Sequence, residues 1–360
     1  EYIKMGKLLV VGATGLLGRA AIKYFRAKKG WICSGLSRRP HKFRNVEYLA
    51  ADLLDNPSIE KHHSKLRDVT HILYAALYEM DDLLSGWRHN EQIKTNTKMF
   101  ENLMNIVSLY SPNLRHISLL QGTKAYGIHV EPMKAPAKEK WPRHNHENFY
   151  WNQEDILKRI CNAKNWSFNI WRPQVVLGTA TGSPMNLVAA IAAYATICKE
   201  TDLTFYQPLG TPVVTEATDA NLFAKALEWA FNEPKAKNQT FNITNGDVLI
   251  WHHLWPEICE FFKIPLGPKR NRTLSTALPK LEKEWSFITN KYGIKQLNLK
   301  ELVGGSWQFL DRALRDAGPS PSPSIVSTIK IRKAGFSGCI DTSDSLKNCF
   351  KEMRREKLIP

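Results

Sequence analysis

Apolar and polar positions follow two alternating periods along the first half of the chain. Short apolar runs of strand length alternate with stretches of helical period, of which "TNTKMFENLMNIVSLY" (95–110) is the clearest. The predicted strands lie at 7–11, 31–40, 46–55, 69–77 and 114–120. Strands that alternate with helices in this order predict an α/β fold with a doubly wound, parallel Rossmann sheet over residues 1–172.

The second half, residues 173–360, has a mainly helical pattern and is predicted to bind the substrate. In "GSPMNLVAAIAAYATICKE" (182–200), Ser183 is the predicted N-cap and Pro184 the first helical residue. Because this helix is apolar on all sides, we expect it to be buried beneath the substrate pocket or at the contact of a homodimer. Further helices are predicted at 215–231 and 306–318, a loop at 317–338, and at 239–246 a strand that returns to the sheet.

The chain has a net charge of +16, which bears on its possible partners and leaves the predicted fold unchanged. The basic residues are dispersed and carry no known nucleic-acid-binding motif, so we expect no nucleic-acid partner, whereas a phosphorylated cofactor suits a positive field. The longest apolar run, 185–198, is too short to cross a bilayer. With no recognisable secretion signal and six scattered cysteines, we expect a cytoplasmic protein without membrane association. His252 and His253 are adjacent and face different sides of a helix, so no metal site is predicted.

A glycine-rich turn follows the first strand in "KLLVVGATGLLGRAAIKYF" (7–25). Gly12 suits the tight turn, Gly15 allows a pyrophosphate to approach the backbone, and Gly18 lets the helix pack close to the strand. The partial positive charge of the helix N-terminus favours phosphate groups. The alternative is a tight strand–helix turn without a ligand.

The end of the second strand indicates which dinucleotide binds. Where NAD-binding proteins place an acidic residue against the ribose, this chain has Ser37, Arg38 and Arg39. Guanidinium groups match a 2′-phosphate, so NADP(H) is favoured over NAD(H). The alternative is a solvated basic turn. Asp52, at the end of the third strand, is a candidate partner for the adenine amine.

A tyrosine begins the helix predicted at "NFYWNQED" (148–155), where a reductase tyrosine would lie. Four residues after Tyr150 the usual lysine is replaced by Glu154. Either Tyr150 only packs at the start of the helix, or its lysine comes from elsewhere. Lys124, in "QGTKAYG" (121–127), follows the fifth strand and so lies at the crevice in which such sheets bind ligands.

These motifs resemble those of the progesterone 5β-reductase and iridoid synthase-like enzymes, an atypical branch of the extended short-chain dehydrogenases. The resemblance rests on "GATGLLG", "SRRP", "KAY" and "NFYWNQED", and continues through 172–200, 240–258 and the closing "KLIP". It covers nearly the whole chain. At Leu77, Leu120, Ala125 and Trp151 this chain departs from the residues that the family usually has. The resemblance therefore does not identify the particular substrate.

The resemblance implies roles for particular residues. Tyr150 and Lys124 match the catalytic pair. The residues that match cofactor contacts are Thr14, Gly15, Leu16, Arg38, Arg39, Asp52, Leu53, Ala76, Leu77, Tyr150, Val176, Ser183 and Met185. Gln121 is a further predicted cofactor contact, although the family has its glutamine one position earlier, where this chain has Leu120. In the family, the region that corresponds to 317–338 borders the substrate cavity, so we expect a lid there that excludes water when it closes. A deletion within Pro319–Ser324 is then predicted to raise KM while NADPH affinity stays constant.

The activity that the resemblance implies is 1,4-reduction of a small hydrophobic enone or enal by NADPH. Hydride adds to the β-carbon, and Tyr150 and Lys124 stabilise the enolate oxygen. We expect the Lys124 ammonium to favour an ionised or strongly hydrogen-bonded Tyr150. A carbonyl reductase or alcohol dehydrogenase on the same scaffold is the main alternative, and an NADP-sensing protein without catalysis is the other.

Overall fold

The computed structural model describes residues 6–39, 43–271 and 273–360. The strands are β1 Gly6–Val11, β2 Trp31–Ser37, β3 Glu47–Ala50, β4 His71–Tyr74, β5 His116–Leu120, β6 Ser167–Pro173, β7 Val175–Leu177, β8 Ala217–Asp219 and β9 Gln239–Ile243. The helices are α1 Leu16–Phe25, α2 Asn56–Glu60, α3 His63–Leu66, α4 Asn90–Tyr110, α5 Phe149–Lys164, α6 Leu187–Thr201, α7 Ala220–Asn232, α8 Trp251–Phe262, α9 Leu274–Ala277, α10 Glu282–Tyr292, α11 Leu299–Val303, α12 Ser306–Leu314, α13 Ile329–Ala334 and α14 Thr342–Arg355.

Seven strands form one parallel sheet in the order β3-β2-β1-β4-β5-β6-β9. The predicted doubly wound Rossmann sheet is therefore confirmed. The chain reverses its direction of winding between β1 and β4, and this reversal opens a crevice at the carboxyl ends of the strands. β9 lies at the edge and pairs with β6, so a segment of the second half completes the sheet.

Both faces of the sheet are buried, as parallel sheets require. Successive residues of β1 point to opposite sides. Leu8 and Val10 join a core with α1 and α7, whereas Leu9 and Val11 join a core with α4 and α5. The apolar run at 8–11 is continuous because each of its side chains has a core to enter.

The second half is built around α6, in which Leu187–Cys198 are all buried. α8, α10, α11, α12 and α14 contribute to the same core, and their packing explains why α6 is apolar on every side. Within the described residues no helix is long and apolar enough to cross a membrane.

The C-terminal helix α14 connects this core to helices α1 and α7, which pack on the sheet. Glu356 accepts from Arg19 of α1 at 2.5 Å, and Lys23 of α1 is paired with both Glu352 and Glu356. At its other end, Ser345 donates to Asp219, which caps α7, at 2.6 Å. α14 therefore holds α1 and α7 together.

Three sequence predictions about local structure are wrong. Ser183 does not cap α6, because Met185 has a φ of +57° and the side chain of Asn186 accepts from Ala189 N at 3.1 Å, which starts the helix later. The helix expected from 215 begins at Ala220, since residues 217–219 form β8 beside β7. The loop expected over 317–338 contains α13.

Candidate active site

A cavity of about 1850 Å³ opens at the carboxyl ends of the central strands. Its wall contains all but one of the predicted site residues, namely Gly12, Thr14, Gly15, Leu16, Ser37, Arg38, Arg39, Asp52, Leu53, Ala76, Leu77, Gln121, Lys124, Tyr150, Val176, Ser183 and Met185. Gly18 alone is outside the wall. One cavity thus joins the predicted phosphate-binding turn to the predicted catalytic pair.

The glycine turn has the close packing that the motif predicts. Gly12 has a φ of +82°, and a Cβ there would lie 2.5 Å from the backbone of Ala75 and Ala76. A Cβ on Gly18 would collide with the carbonyl oxygen of Gly12. At Gly15 a Cβ would meet only the Gly12 oxygen, at 3.6 Å. The two outer glycines therefore serve packing, and the middle one leaves space for a ligand to approach the start of α1.

The end of β2 presents polar groups that lack protein partners. Ser37 Oγ is buried and, within the described part of the chain, has no hydrogen-bond partner. Arg38 and Arg39 are exposed on the cavity wall, and neither guanidinium has a carboxylate within 4.0 Å among residues 6–39, 43–271 and 273–360. Together with the open glycine turn, these groups fit a nicotinamide dinucleotide cofactor.

Tyr150 lies in the first turn of α5. The side chain of Asn148 caps this helix by accepting from Tyr150 N at 3.0 Å, which fixes where the tyrosine leaves the backbone. A Cβ built on Gly122 would lie 3.5 Å from the Tyr150 hydroxyl, so the absence of a side chain there leaves the hydroxyl accessible. Burial, reinforced by the negative charge of Glu79, raises the pKa of Tyr150 above its ordinary range, although Arg172 opposes this. The Lys124 ammonium is not among the charges that shift this pKa, so the expected bias toward an ionised or strongly hydrogen-bonded phenol stays a prediction.

Lys124 lies in the 3₁₀ turn Thr123–Tyr126 that follows β5. Its Nζ lies 3.9 Å from the centroid of the Trp87 ring and 3.5 Å from Met185 Sδ. Burial lowers the pKa of Lys124 to about 8; Glu79 counteracts this shift and Arg312 adds to it. Trp87 also contacts the ring of Tyr150 edge-on, with centroids 5.3 Å apart. The two predicted catalytic side chains therefore contact the same indole.

Glu154, at the usual position of the lysine, has a structural role. It is buried and accepts from Gln121 Nε2 at 3.1 Å and from Lys158 Nζ at 2.6 Å, with Arg143 at 3.3 Å. Burial alone raises the pKa of Glu154, but the hydrogen bonds from Lys158 and Gln121 and the charge of Arg143 hold it below its ordinary value.

The same amide connects the first turn of α5 to the neighbouring strand β6. Gln121 Nε2 also lies 3.3 Å from the carbonyl oxygen of Tyr150, and Gln121 Oε1 accepts from Arg172 Nε at 2.9 Å. This buried network ties the start of α5 to the ends of β5 and β6.

Several wall residues were not predicted from the sequence. Trp87 donates to both carboxylate oxygens of Glu79 at 3.2 Å, and burial raises the pKa of Glu79. Arg88 and Arg312 also line the cavity. These residues come from 3₁₀ turns, loops and a distant helix, so no local motif identifies them. The stretch 320–324 lines the cavity as well, but its movement as a lid stays a prediction.

A profile described as the PRISE-like Rossmann-fold domain matches residues 51–300. The chain is 32% identical over 374 residues to an (S)-8-oxocitronellyl enol synthase of Catharanthus roseus, covering 98% of this chain and 92% of that protein. It is 29% identical to a 3-oxo-Delta(4,5)-steroid 5-beta-reductase of Arabidopsis thaliana, at coverages of 98% and 92%.

Solved structures of low identity share the fold. A UDP-glucose 4-epimerase of Thermotoga maritima has a TM-score of 0.68 at 15% identity and covers 97% of this chain and 99% of its own. The enzyme WbmH of Bordetella bronchiseptica, solved with NAD⁺, has a TM-score of 0.65 at 14% identity, with coverages of 97% and 98%.

Proposed function

Because this chain is an oxidoreductase that belongs to the PRISE-like Rossmann-fold family, we propose that it reduces the activated C=C bond of a small enone or enal with NADPH. One observation carries the proposal: the Tyr150 hydroxyl and the Lys124 ammonium line the same cavity as the glycine turn. Enone-reducing relatives over nearly the full length of the chain support it.

The chain's own residues supply binding and charge. When bound, the nicotinamide supplies the hydride that adds to the β-carbon of the enone. Tyr150, kept neutral by burial and by Glu79, donates a hydrogen bond to the carbonyl oxygen of the substrate, on which negative charge collects. Lys124 adds positive charge to the same wall, and Trp87 contacts both side chains. Donors that are already oriented stabilise the enolate more than the ground state and so lower the barrier.

The preference for NADPH rests on Arg38 and Arg39. Substituting both with Ala should weaken NADPH binding by about 1.5–3 kcal/mol for each charged partner lost and leave NADH binding nearly constant. Fluorescence titration with both cofactors measures this. Arg67→Ala, an exposed arginine away from the cavity, is the control. An equal loss for NADPH and NADH would assign the two arginines another role.

Regiochemistry separates the proposed reaction from carbonyl reduction. The purified protein is incubated with NADPH deuterated at the transferred position of C4 and with a panel of enones, enals and saturated aldehydes. We expect deuterium at the β-carbon of a saturated ketone or aldehyde. Deuterium found only at the carbonyl carbon would make the chain a carbonyl reductase. If the protein binds NADPH but reduces none of these compounds, the remaining interpretation is an NADP-sensing protein without catalysis.

The six cysteines form no disulfide within the described residues and five of them are buried, which supports the proposal of a cytoplasmic enzyme. A homodimer stays a prediction.

A further inference from the structure

The cavity wall carries three arginines from two separate regions of the chain. Arg88 ends the 3₁₀ turn Gly86–Arg88 after β4, whereas Arg312 belongs to α12 and Arg315 follows it. Their charges act on one another, since burial lowers the pKa of Arg312 and the charges of Arg315 and Arg88 lower it further. Arg312 in turn acts on Lys124. Helix α12 lies against the segment that leads to this turn, because Gln308 Nε2 donates to the Asp81 carbonyl oxygen and Gln308 Oε1 accepts from Leu83 N, each at 3.0 Å. The fold thus brings Arg312 toward the turn that carries Arg88.

These guanidinium groups lack acidic partners. Arg88 donates to the carbonyl oxygen of His129 at 2.5 Å, and Arg315 donates to the carbonyl oxygen of Arg312. Among the residues that the structure describes, none of the three has a carboxylate oxygen within 4.0 Å, and Arg312 has no hydrogen-bond acceptor.

The acidic residues of this region are already engaged. Glu79 accepts from Trp87 and from Gln92 Nε2, the latter at 3.3 Å. Glu131 accepts from His144 at 2.8 Å, and Glu301 closes the capping box of α11. None of these carboxylates therefore neutralises the arginines.

Two buried arginines elsewhere in the chain each have a carboxylate within 4.0 Å. Arg19 contacts Glu356 at 2.5 Å, and Arg172 is held by Gln121 and by Glu154. A set of like charges that repel one another in a partly desolvated cavity is unfavourable unless an anion joins them. Arg312 is half-buried in the cavity wall and has no such partner among the described residues, and the exposed Arg88 and Arg315 line the same cavity without a carboxylate of their own.

The surrounding wall is apolar. Phe309 and Ala313 flank Arg312 on α12, and Leu83, Ile128 and Val130 line the same cavity. An apolar wall with a cationic end matches a hydrocarbon that ends in an anion, and guanidinium groups bind carboxylates in bidentate fashion.

We propose that the substrate is an anionic enone or enal, in which a carboxylate at the end of a hydrocarbon tail binds between Arg88, Arg312 and Arg315. This inference rests on the proposed function and extends it, because it assigns the cavity a charged ligand class in addition to the reacting bond. The reacting carbonyl lies at Tyr150, and the hydrocarbon tail lies along Phe309 and Ala313.

The test compares two substrates that share the same enone and tail: a methyl enone whose saturated tail ends in a carboxylate, and its methyl ester, in which the negative charge is replaced by a neutral ester group. The wild-type protein should reduce the acid with a kcat/KM about 10- to 100-fold above that of the ester. Arg312→Gln should collapse this ratio toward one. Arg355→Gln, which removes the same charge from an exposed position on α14, should retain the ratio. Arg88→Gln replaces the first variant if thermal unfolding shows that Arg312→Gln does not fold.

Equal kcat/KM values for acid and ester, or a ratio that Arg312→Gln leaves unchanged, would overturn the proposal. The affinity for NADPH is measured in parallel, and a loss in Arg312→Gln as large as that for the acid would assign the arginines to the cofactor instead. Calorimetric titration with the saturated keto acid and its ester tests binding without turnover. Binding of the acid that depends on Arg312, without reduction of either enone, would refute the proposed reaction and support the anion site; equal binding of acid and ester would refute the site.

Discussion

At the scale of single residues, the site places a buried phenol and a half-buried amine against one tryptophan. The indole of Trp87 contacts the ring of Tyr150, and Lys124 lies over its face. Burial pushes the pKa of the phenol up and that of the amine down, in each case toward the neutral form. A raised pKa favours the protonated phenol that the proposed hydrogen bond to the substrate requires, and a lowered pKa of about 8 makes the charge of Lys124 sensitive to pH near neutrality.

Tyr150→Phe removes the proposed donor to the carbonyl oxygen. We expect kcat to fall by about 10²- to 10⁴-fold while NADPH binding is retained, because a positioned proton donor contributes on that order to rate. Steady-state kinetics and cofactor titration measure the two effects. Tyr74→Phe is the matched control, since the Tyr74 hydroxyl is buried without a partner among the described residues and lies outside the cavity wall. Full activity in Tyr150→Phe would remove the assigned role.

The proton on Lys124 predicts a pH dependence. If the ammonium assists the reaction, kcat/KM should decline as pH rises through about 8, since the proton leaves Lys124 in that range. Glu79→Gln removes a carboxylate that raises this pKa, so the decline should move to lower pH. Profiles of kcat/KM against pH for the two proteins measure the shift. Glu60→Gln, at an exposed position away from the cavity, should leave the profile in place. A profile that Glu79→Gln does not move would mean that another group controls it.

At the scale of elements, the start of α5 is held by a buried polar network rather than by an active-site lysine. Glu154 lies one helical turn beyond Tyr150 and faces Gln121, Arg143 and Arg172. Because a carboxylate at this position neutralises several cations, it favours the geometry that presents Tyr150 to the cavity.

Glu154→Lys restores the residue type that reductases of this fold usually have at this position. We expect the free energy of unfolding to fall by about 3–5 kcal/mol, since the substitution removes a buried carboxylate and adds a cation beside Arg143 and Arg172. Activity should fall with it. Denaturant unfolding provides the measurement, and Glu147→Lys at an exposed position is the control. Unchanged stability would show that the network contributes little.

Elements with strong periodic patterns were predictable from the sequence, and elements decided by tertiary contacts were not. β1, its glycine turn and α1 follow directly from "KLLVVGATGLLG". Ser183 and Pro184 form a good helix start locally, yet contacts with α12 delay the helix: Ser306 Oγ donates to the Ser183 carbonyl oxygen at 3.0 Å and accepts from Asn186 N at 2.8 Å. In the site, Arg88 and Arg312 meet only in the folded chain, so local sequence gives no signal for them.

At the scale of the whole molecule, α14 joins the two halves through charged and apolar contacts. Leu358 and Ile359, beyond its end, enter the core of the second half, while Glu352 and Glu356 reach α1. α1 begins at the glycine turn, so the C-terminal helix contributes to the placement of the cofactor site.

Glu356→Ala should leave the guanidinium of Arg19, which is 8% exposed, without its carboxylate. We expect a loss of about 1.5–3 kcal/mol in the free energy of unfolding, measured in denaturant. Burial raises the pKa of Glu356, but Lys23 and Arg19 outweigh it and hold the pKa below its ordinary value. The stabilisation is therefore present at neutral pH and is lost as pH falls through that lowered pKa. The free energy of unfolding should accordingly change less on acidification in Glu356→Ala than in the wild-type protein.

Glu260→Ala, at an exposed position of α8, is the control and should change stability little. A loss in Glu356→Ala no greater than in this control would show that the pairs with α1 are solvated contacts of little weight.

The pairing of β9 with β6 has a consequence for synthesis. β6 is synthesised well before β9. When only the first half of the chain has left the ribosome, β6 therefore exposes a row of unpaired amide and carbonyl groups. These groups gain partners only after α6, α7 and β9 have left the ribosome. The dinucleotide-binding sheet is thus completed late, and a fragment that stops at residue 172 should self-associate through that open edge and depend on chaperones for solubility.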